Sequence, residues 1–172
     1  MLSLQPNEPL SPEVLAKALG IATHGVEDVP GLDSGSRSVL LGAGSDSWSA
    51  VTLTEGSKGV IILNSAHSNA RSASDLMHEL AHLIVGHKPG RIDITEDGAL
   101  LLNTYDKQQE DEANWLAGCL LLPRPALLWM KKRRMAQQVA AAHFGVSMEM
   151  LIYRIRVTGV DNQFRRASAF MR

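Results

Sequence analysis

The apolar pattern of the chain is strongest between residues 76 and 85. Within this stretch His78, Glu79 and His82 are the only polar side chains, and the others are Leu, Met, Ala, Ile and Val. A helix that is apolar nearly all round is typically buried, so the pattern predicts a buried helix that ends at Gly86. Because unpaired imidazoles and carboxylates are costly to bury, we expect these three side chains to have partners.

Helical patterns also flank this segment on both sides. Ser72 and Asp75 have capping-box spacing at the start of the central helix. Residues 107–121 form a second strong helical pattern, which is stopped by the prolines of LLPRP. Shorter helical patterns, several of them with Ser, Pro or Gly at their ends, lie at about 11–19, 125–133, 135–144 and 148–157.

Segments with strand character are few. Residues 50–54 and 59–63 flank the turn sequence EGSK, which is typical of a β-hairpin. The stretch 29–47 is rich in Gly, Ser and Asp, and it is predicted to be a loop with one strand at 38–41. Residues 90–106 are polar and mixed, which predicts a long loop with short strands.

Composition limits the class of protein. The chain has 172 residues, of which 45% are apolar and 20% charged, enough for one globular domain, with or without an appendage. The N-terminus lacks the pattern of a signal peptide, and no apolar run approaches the roughly 20 residues that span a bilayer. A single cysteine, Cys119, excludes an internal disulfide and suits a reducing compartment. We therefore expect a cytoplasmic protein with no membrane partner.

Charge divides the chain into two regions. Residues 1–123 carry 7 Lys or Arg and 16 Asp or Glu, a net charge of −9, whereas residues 124–172 carry 10 and 2, a net charge of +8. The split predicts a core with the N-terminal helix over 1–123 and a basic helical C-terminal region over 124–172. A basic region is compatible with an acidic partner or nucleic acid, although mutual attraction of the two halves explains the split equally well.

The spacing of the polar residues in the central helix predicts a metal site. His78 and His82 lie one turn apart on one face, where two imidazole nitrogens can converge on a tetrahedral ion. Glu79 lies about 100° round the helix from His78, which places it to reach a water on the open side of the metal. HExxH on a helix is typical of a zinc site with its general base beside a ligand. The alternative is a pair of core histidines bonded to backbone or carboxylate.

The second strong helix offers the third protein ligand that a catalytic zinc requires. Glu110 shares a face with two alanines, Ala113 and Ala117, which let that face pack closely against the HExxH helix. Asn114, on the same face, is placed to hold the free ring N–H of a ligating histidine. Glu112 lies about 200° round from Glu110, so the two cannot both face the metal. We predict Glu110 as the ligand, and an acidic first turn favoured by the helix dipole is the alternative explanation.

Together these segments resemble a known family. HELAHLIVGH, followed 28 residues after His82 by EDEANWLAGCLLLP, is similar to the ImmA/IrrE family of metallopeptidases. The pattern of that family is HExxH, then E-x-x-A-[ND] leading into L-L-x-P. The similarity also covers VIILNS and VAAAHFGVSMEMLIYRI, about residues 50–158 in all. Trp115 and Leu116 depart from the residues common in the family, and they leave the ligand positions intact.

The resemblance carries implications for fold, site and substrate. It implies a zincin-like α+β fold, which we expect here to contain a small antiparallel sheet. It implies Zn²⁺ held by His78, His82 and Glu110, with Glu79 as the catalytic base that takes a proton from the attacking water and returns it to the leaving amine. Members of the family cut or act on helix-turn-helix repressors of mobile elements or stress operons, which implies such a protein substrate here.

Two parts of the mechanism stay open in the sequence. The side chains that could stabilise the oxyanion are His87, Tyr105, His143 and Tyr153, and nothing in the pattern chooses between them. The strand at 59–63 could pair with an extended substrate chain, or it could be an ordinary sheet strand.

The C-terminal region supports a rival function. AQQVAAAHFGVSMEMLIYRIR has the outline of a helix-turn-helix, and Arg154, Arg156, Arg165 and Arg166 add positive charge near it. An ordinary helical hairpin with solvated arginines is the alternative. The rival to a peptidase is therefore a zinc-containing regulatory protein that binds a repressor or DNA without proteolysis.

Overall fold

A three-stranded mixed sheet forms the β part of the fold. In this computed structural model, which describes residues 4–55, 58–87, 91–94, 100–103 and 106–164, the strand order is β1-β3-β2. The strands are β1 (Ala22–Gly25), β2 (Ala50–Glu55) and β3 (Lys58–Leu63). β2 and β3 pair antiparallel, so the predicted hairpin is confirmed. β4 (Arg91–Ile94) and β5 (Leu100–Asn103) form a separate antiparallel pair, in the stretch predicted to hold short strands.

The prediction of a purely antiparallel sheet is wrong, because β1 pairs parallel with β3. The four residues of β1, ATHG, carry too short a pattern to indicate a strand, and they become one by pairing with β3. β3 is therefore the central strand, with both of its edges hydrogen-bonded. Of the two alternatives left open for residues 59–63, the structure therefore favours the ordinary sheet strand, because β3 is paired with β1 on one side and with β2 on the other.

Helices make up most of the remaining structure. They are α1 (Pro12–Ala18), α2 (Ser34–Leu41), α3 (Asn69–Val85), α4 (Lys107–Leu121), α5 (Arg124–Lys132), α6 (Gln137–Phe144) and α7 (Met148–Thr158). The fold is thus of the mixed α+β kind. The sequence predicted six of these helices. Two of the predicted caps form as expected: Ser11 Oγ accepts from the Val14 N–H, and Ser147 Oγ accepts from the Met150 N–H.

Two of the predicted local structures are wrong. The predicted strand at 38–41 belongs to α2, because Asp33 caps that helix by accepting a hydrogen bond from the Ser36 N–H. α3 begins at Asn69, earlier than the predicted start between Ser72 and Asp75, because its N-cap is Ser68. In both places the helix begins directly after the residue that caps it in the folded chain, and the sequence pattern had indicated a different structure or start.

α3 is the central element, and two of its faces are buried. One face packs Leu76 and Leu80 against Ile61 of β3. Another packs Met77 and Ala81 against α4, in a hydrophobic cluster that continues through α5, α6 and α7. The prediction of a helix buried all round is only partly correct, since Ile84 and Val85 are 45% and 46% exposed at its C-terminal end. The remaining face of α3 carries the polar residues.

The hydrophobic cluster that includes Met77 and Ala81 contains residues from both sides of position 123, from Met77 to Val160. The proposed division of the chain at residue 123 stays a prediction. Among the described residues, no helix is both long enough and apolar enough to cross a bilayer.

The contact between α4 and α7 depends on a glycine. A Cβ at position 118 would lie 2.7 Å from Cδ of Arg154, which is 3% exposed and donates from Nε to the Leu122 carbonyl at 3.1 Å.

We expect Gly118→Ala to lower the free energy of unfolding by about 1 kcal/mol, because overpacking costs about 1–3 kcal/mol and the gain in helix propensity is only about 0.5–1 kcal/mol. Urea denaturation measures this change. In an Arg154→Ala background the same substitution should cost nothing, and an equal cost in both backgrounds would contradict the clash.

Candidate metal centre

Three side chains from two helices converge beside α3. His78 and His82 extend from successive turns of α3, and Glu110 extends from the first turn of α4. The Nε2 atoms of the two histidines are 2.9 Å apart. Glu110 places Oε2 at 3.1 Å from His78 Nε2 and Oε1 at 3.4 Å from His82 Nε2. The predicted close packing of α4 on α3 accounts for this convergence, since Ala113 and Ala117 are both buried in the contact.

The arrangement fits a metal ion. One ligand atom from each of His78, His82 and Glu110 lies within 4.8 Å of the others, which is close enough for a single ion. Ligands at about 2.0–2.1 Å from one tetrahedral centre lie about 3.3 Å from each other, and the observed separations bracket that distance. The side chains are 22%, 20% and 32% exposed, so the centre is partly covered and still open to solvent on one side.

Asn114 sets the tautomer of His78. Its Oδ1 lies 3.0 Å from His78 Nδ1, and an amide oxygen can only accept a hydrogen bond. His78 Nδ1 therefore donates to Asn114, and Nε2 is the ring nitrogen that faces His82 and Glu110. This is the contact that the sequence predicts for Asn114.

The surroundings of His82 favour its neutral imidazole form. Burial lowers the pKa of His82, and the neighbouring His78 lowers it further, while Glu110 and Glu79 act in the opposite direction. A neutral ring keeps a lone pair available for a metal ion.

The Nδ1 atom of His82 also has a neighbour, His87. α3 ends at Gly86, whose φ of 79° is in the left-handed region that glycine adopts without strain. The N–H groups of Gly86 and His87 both donate to the His82 carbonyl at 3.0 Å, and this turn folds His87 back over the helix end. His87 Nδ1 then lies 2.9 Å from His82 Nδ1, and His87 Nε2 lies 3.1 Å from Glu112 Oε2.

Glu79 lines the same cavity as His78 and Glu110 and is held from the sheet. The hydroxyl of Thr52, on β2, donates a hydrogen bond to Glu79 Oε2. Thr52 was not identified as a site residue from the sequence. The one indication of its direction was the alternation in AVTLT, since its neighbours Val51 and Leu53 face outward with 40% and 49% exposure. The strand thus presents its polar residue to the metal-site helix.

A cavity of about 370 Å³ gives access to the centre. It is lined by residues of β2, α3, α4 and α7, among them His78, Glu79, Glu110 and Asn114. It adjoins a larger groove of about 970 Å³, and the two share Ser74, Asp75, Asn114 and Met150. A chain segment can therefore approach the centre along α4 and α7.

Asp75 was not singled out from the sequence as part of the site. It lies on α3 one turn before His78 and lines both the cavity and the groove. His67 Nδ1 holds its carboxylate at 2.9 Å, and Arg71 lies near it on the same helix. The sequence carried a weak signal for this residue, since positions 75, 78 and 82 share one helix face.

Comparison with known proteins agrees with the geometry. A family model described as IrrE N-terminal-like domain, Peptidase_M78, matches residues 42–156. The chain belongs to this family. Membership in the M78 family indicates a metallopeptidase-type domain, and the matched segment contains His78, Glu79, His82 and Glu110. Neither a curated protein nor a solved structure matches the chain significantly.

The four side chains considered as oxyanion donors in this M78 protein differ in their surroundings. Both ring nitrogens of His87 have partners. His143 Nε2 lies 2.8 Å from the Asn7 carbonyl, and the ring stacks on Trp129. Tyr105 lies outside the described residues. Tyr153 lines the groove that adjoins the cavity at His78 and Glu110, and His143 lines neither.

The C-terminal helices of the M78 domain form the expected hairpin, α6–Gly145–α7. Arg154, counted among the positive charges near the predicted helix-turn-helix, is turned into the core against α4 and is not available to a nucleic acid. Arg165 and Arg166 lie outside the described residues. A helix-turn-helix function of this hairpin stays a prediction.

Proposed function

We propose that this protein is a cytoplasmic zinc metallopeptidase with a zincin-like core, and that its substrate is a helix-turn-helix repressor of a mobile element or stress operon. The observation that carries the proposal is the convergence of His78 Nε2, His82 Nε2 and the Glu110 carboxylate within 4.8 Å, next to Glu79 and at the base of an open cavity. Two imidazoles and one carboxylate are a ligand set of catalytic zinc, which leaves one position for water or substrate.

The protein's own residues divide the work of hydrolysis. Bound zinc supplies a Lewis acid that acidifies a water and polarises a peptide carbonyl. Glu79 accepts the proton of the attacking water and returns it to the leaving amine, while the hydroxyl of Thr52 holds its carboxylate in place. Asn114 holds His78 with its lone pair on the metal side. Tyr153 is the best-placed of the candidate oxyanion donors that the structure describes.

The groove supports a protein substrate. It extends from the cavity along α4 and α7 and is lined in part by Trp115, which is 58% exposed, and by Tyr153. Exposed aromatic side chains at the edge of a polar site are suited to contact the apolar side chains of a bound polypeptide. The edge of β2, beside Glu79, is suited to pair with an extended segment.

The test uses the full-length wild-type protein. We expect elemental analysis to find about one zinc per chain after reconstitution, as a single three-ligand site requires. Incubation with a repressor encoded beside the gene should then give cleavage at a defined bond, seen by mass spectrometry, that stops when a chelator removes the metal. A chain without metal would contradict the proposal. Bound zinc without cleavage, together with binding of the repressor or of DNA, would favour the non-proteolytic regulatory protein instead.

A further inference from the structure

The two ligating histidines are held in different ways. His78 Nδ1 contacts Asn114, as the face of α4 predicts, whereas the Nδ1 of His82 contacts His87. Behind His87 lies Glu112, which the sequence excluded from the metal because of its position on α4. The distances are 2.9 Å from His82 Nδ1 to His87 Nδ1 and 3.1 Å from His87 Nε2 to Glu112 Oε2.

Only one arrangement of protons satisfies the series His82–His87–Glu112 if His82 binds metal through Nε2. The His82 proton must then lie on Nδ1, so His87 Nδ1 must accept it. A neutral His87 consequently carries its own proton on Nε2, which donates to the Glu112 carboxylate. Gln108 Nε2 donates to the other oxygen of that carboxylate at 3.0 Å and fixes its orientation. Each donor in the series thus meets an acceptor.

We propose that His87 and Glu112 are positioning residues for the metal ligand His82. They fix its tautomer and ring orientation, so that the lone pair of Nε2 faces His78 and Glu110 before the ion arrives. This inference rests on the proposed metal centre and adds to it the residues that hold its second imidazole. A partner on the distal nitrogen of a ligating histidine also raises the basicity of the ligand.

The burial of these residues supports the assignment. The side chain of His87 is only 7% exposed although it follows the last turn of a helix, and the left-handed turn at Gly86 directs it inward. Glu112 is 48% exposed, so its carboxylate is not itself enclosed. His87 cannot be a further ligand of the same ion, because it contacts the ring edge of His82 that faces away from Glu110.

The test measures Zn²⁺ affinity of the full chain by competition with a chelator. We expect His87→Leu to weaken Zn²⁺ binding by about 10- to 100-fold, the usual effect of losing such a partner. Glu112→Gln, which keeps an acceptor oxygen but loses the charge, should have a smaller effect in the same direction. His87→Asn should restore part of the affinity, since its side-chain oxygen can take the place of Nδ1.

Asp111→Asn is the matched control. It removes the same charge from the neighbouring position, and Asp111 pairs with Lys107 instead of His87. We expect its affinity for Zn²⁺ to equal that of the wild type. The visible absorption of the Co²⁺-substituted protein gives a second readout, because it changes with ligand geometry and should differ from the wild type only in the His87 and Glu112 variants.

The outcomes separate this inference from the function on which it rests. Wild-type affinity and an unchanged Co²⁺ spectrum in both His87→Leu and Glu112→Gln would overturn the positioning role and leave the metal centre intact. Equal losses in Glu112→Gln and Asp111→Asn would overturn it too, because the effect would then be one of net charge. If His87→Leu does not fold, as thermal unfolding of the metal-free protein would show, Glu112→Gln decides. A wild type that binds no Zn²⁺ would overturn both proposals.

Discussion

Glu79→Gln is expected to stop peptide cleavage while the protein keeps its metal. The substitution preserves the size of the side chain and an oxygen that can still accept the hydrogen bond from Thr52. It removes the carboxylate that is proposed to take the proton from the attacking water. General base catalysis contributes about 10²–10⁴-fold to such reactions, so we expect the rate of repressor cleavage to fall by that factor. The measurement is the initial rate of cleavage, with zinc per chain determined on the same samples.

The matched control for this result is Glu13→Gln, which makes the same chemical change at an exposed position in the first turn of α1. It should cleave at the wild-type rate. Cleavage by Glu79→Gln at a similar rate to the wild type would show that another group acts as the base. Loss of zinc from Glu79→Gln would show instead that the carboxylate helps to hold the ion.

Glu110→Ala is expected to remove most of the bound metal. In the proposed centre Glu110 is one of three ligands, and its two oxygens lie 3.1 Å and 3.4 Å from the histidine nitrogens. Losing a residue that hydrogen-bonds to a metal ligand lowers metal affinity by roughly 10- to 100-fold. Losing a ligand itself should lower it further, so we expect Zn²⁺ affinity to fall by more than about 100-fold. Chelator competition measures the affinity, and elemental analysis should show metal well below that of the wild type.

Asp111→Ala serves as the control, since Asp111 is the next residue on α4 and its side chain is 66% exposed. It should retain the wild-type metal content. Retention of zinc by Glu110→Ala would mean that a different carboxylate completes the site. Glu112, whose carboxylate contacts His87, is one alternative on α4, and a Glu110→Ala/Glu112→Ala double variant would test it.

The convergence of His78, His82 and Glu110 was predictable from the sequence because each helix contributes residues that lie one turn apart on one face. His78 and His82 are one turn apart on α3, and Glu110 and Asn114 are one turn apart on α4, so helical geometry alone places each pair on one face. Ala113 and Ala117 indicated that these faces would meet, and both are buried between the helices. The limits of α4, Lys107–Leu121, also match the predicted 107–121, since Pro123 follows it closely.

Other parts of the site could not be predicted, because they join distant segments. Thr52 reaches Glu79 from a strand that lies 27 positions away. Glu112 reaches His82 only through His87, after the chain turns back at Gly86. Helical spacing correctly placed Glu112 away from the face of Glu110, but spacing within α4 contains no information about what lies beside the end of α3.

The same distinction applies to the fold. The sequence by itself determined the long capped helices, the β2–β3 hairpin and the HExxH face, because these depend on interactions between residues a few positions apart. The tertiary structure decided the parallel pairing of β1 with β3, the burial of Arg154 against Gly118, and the groups that hold Glu79 and His82. Each of these is a contact between segments whose relative position is set by packing of the whole chain, and no local pattern encodes it.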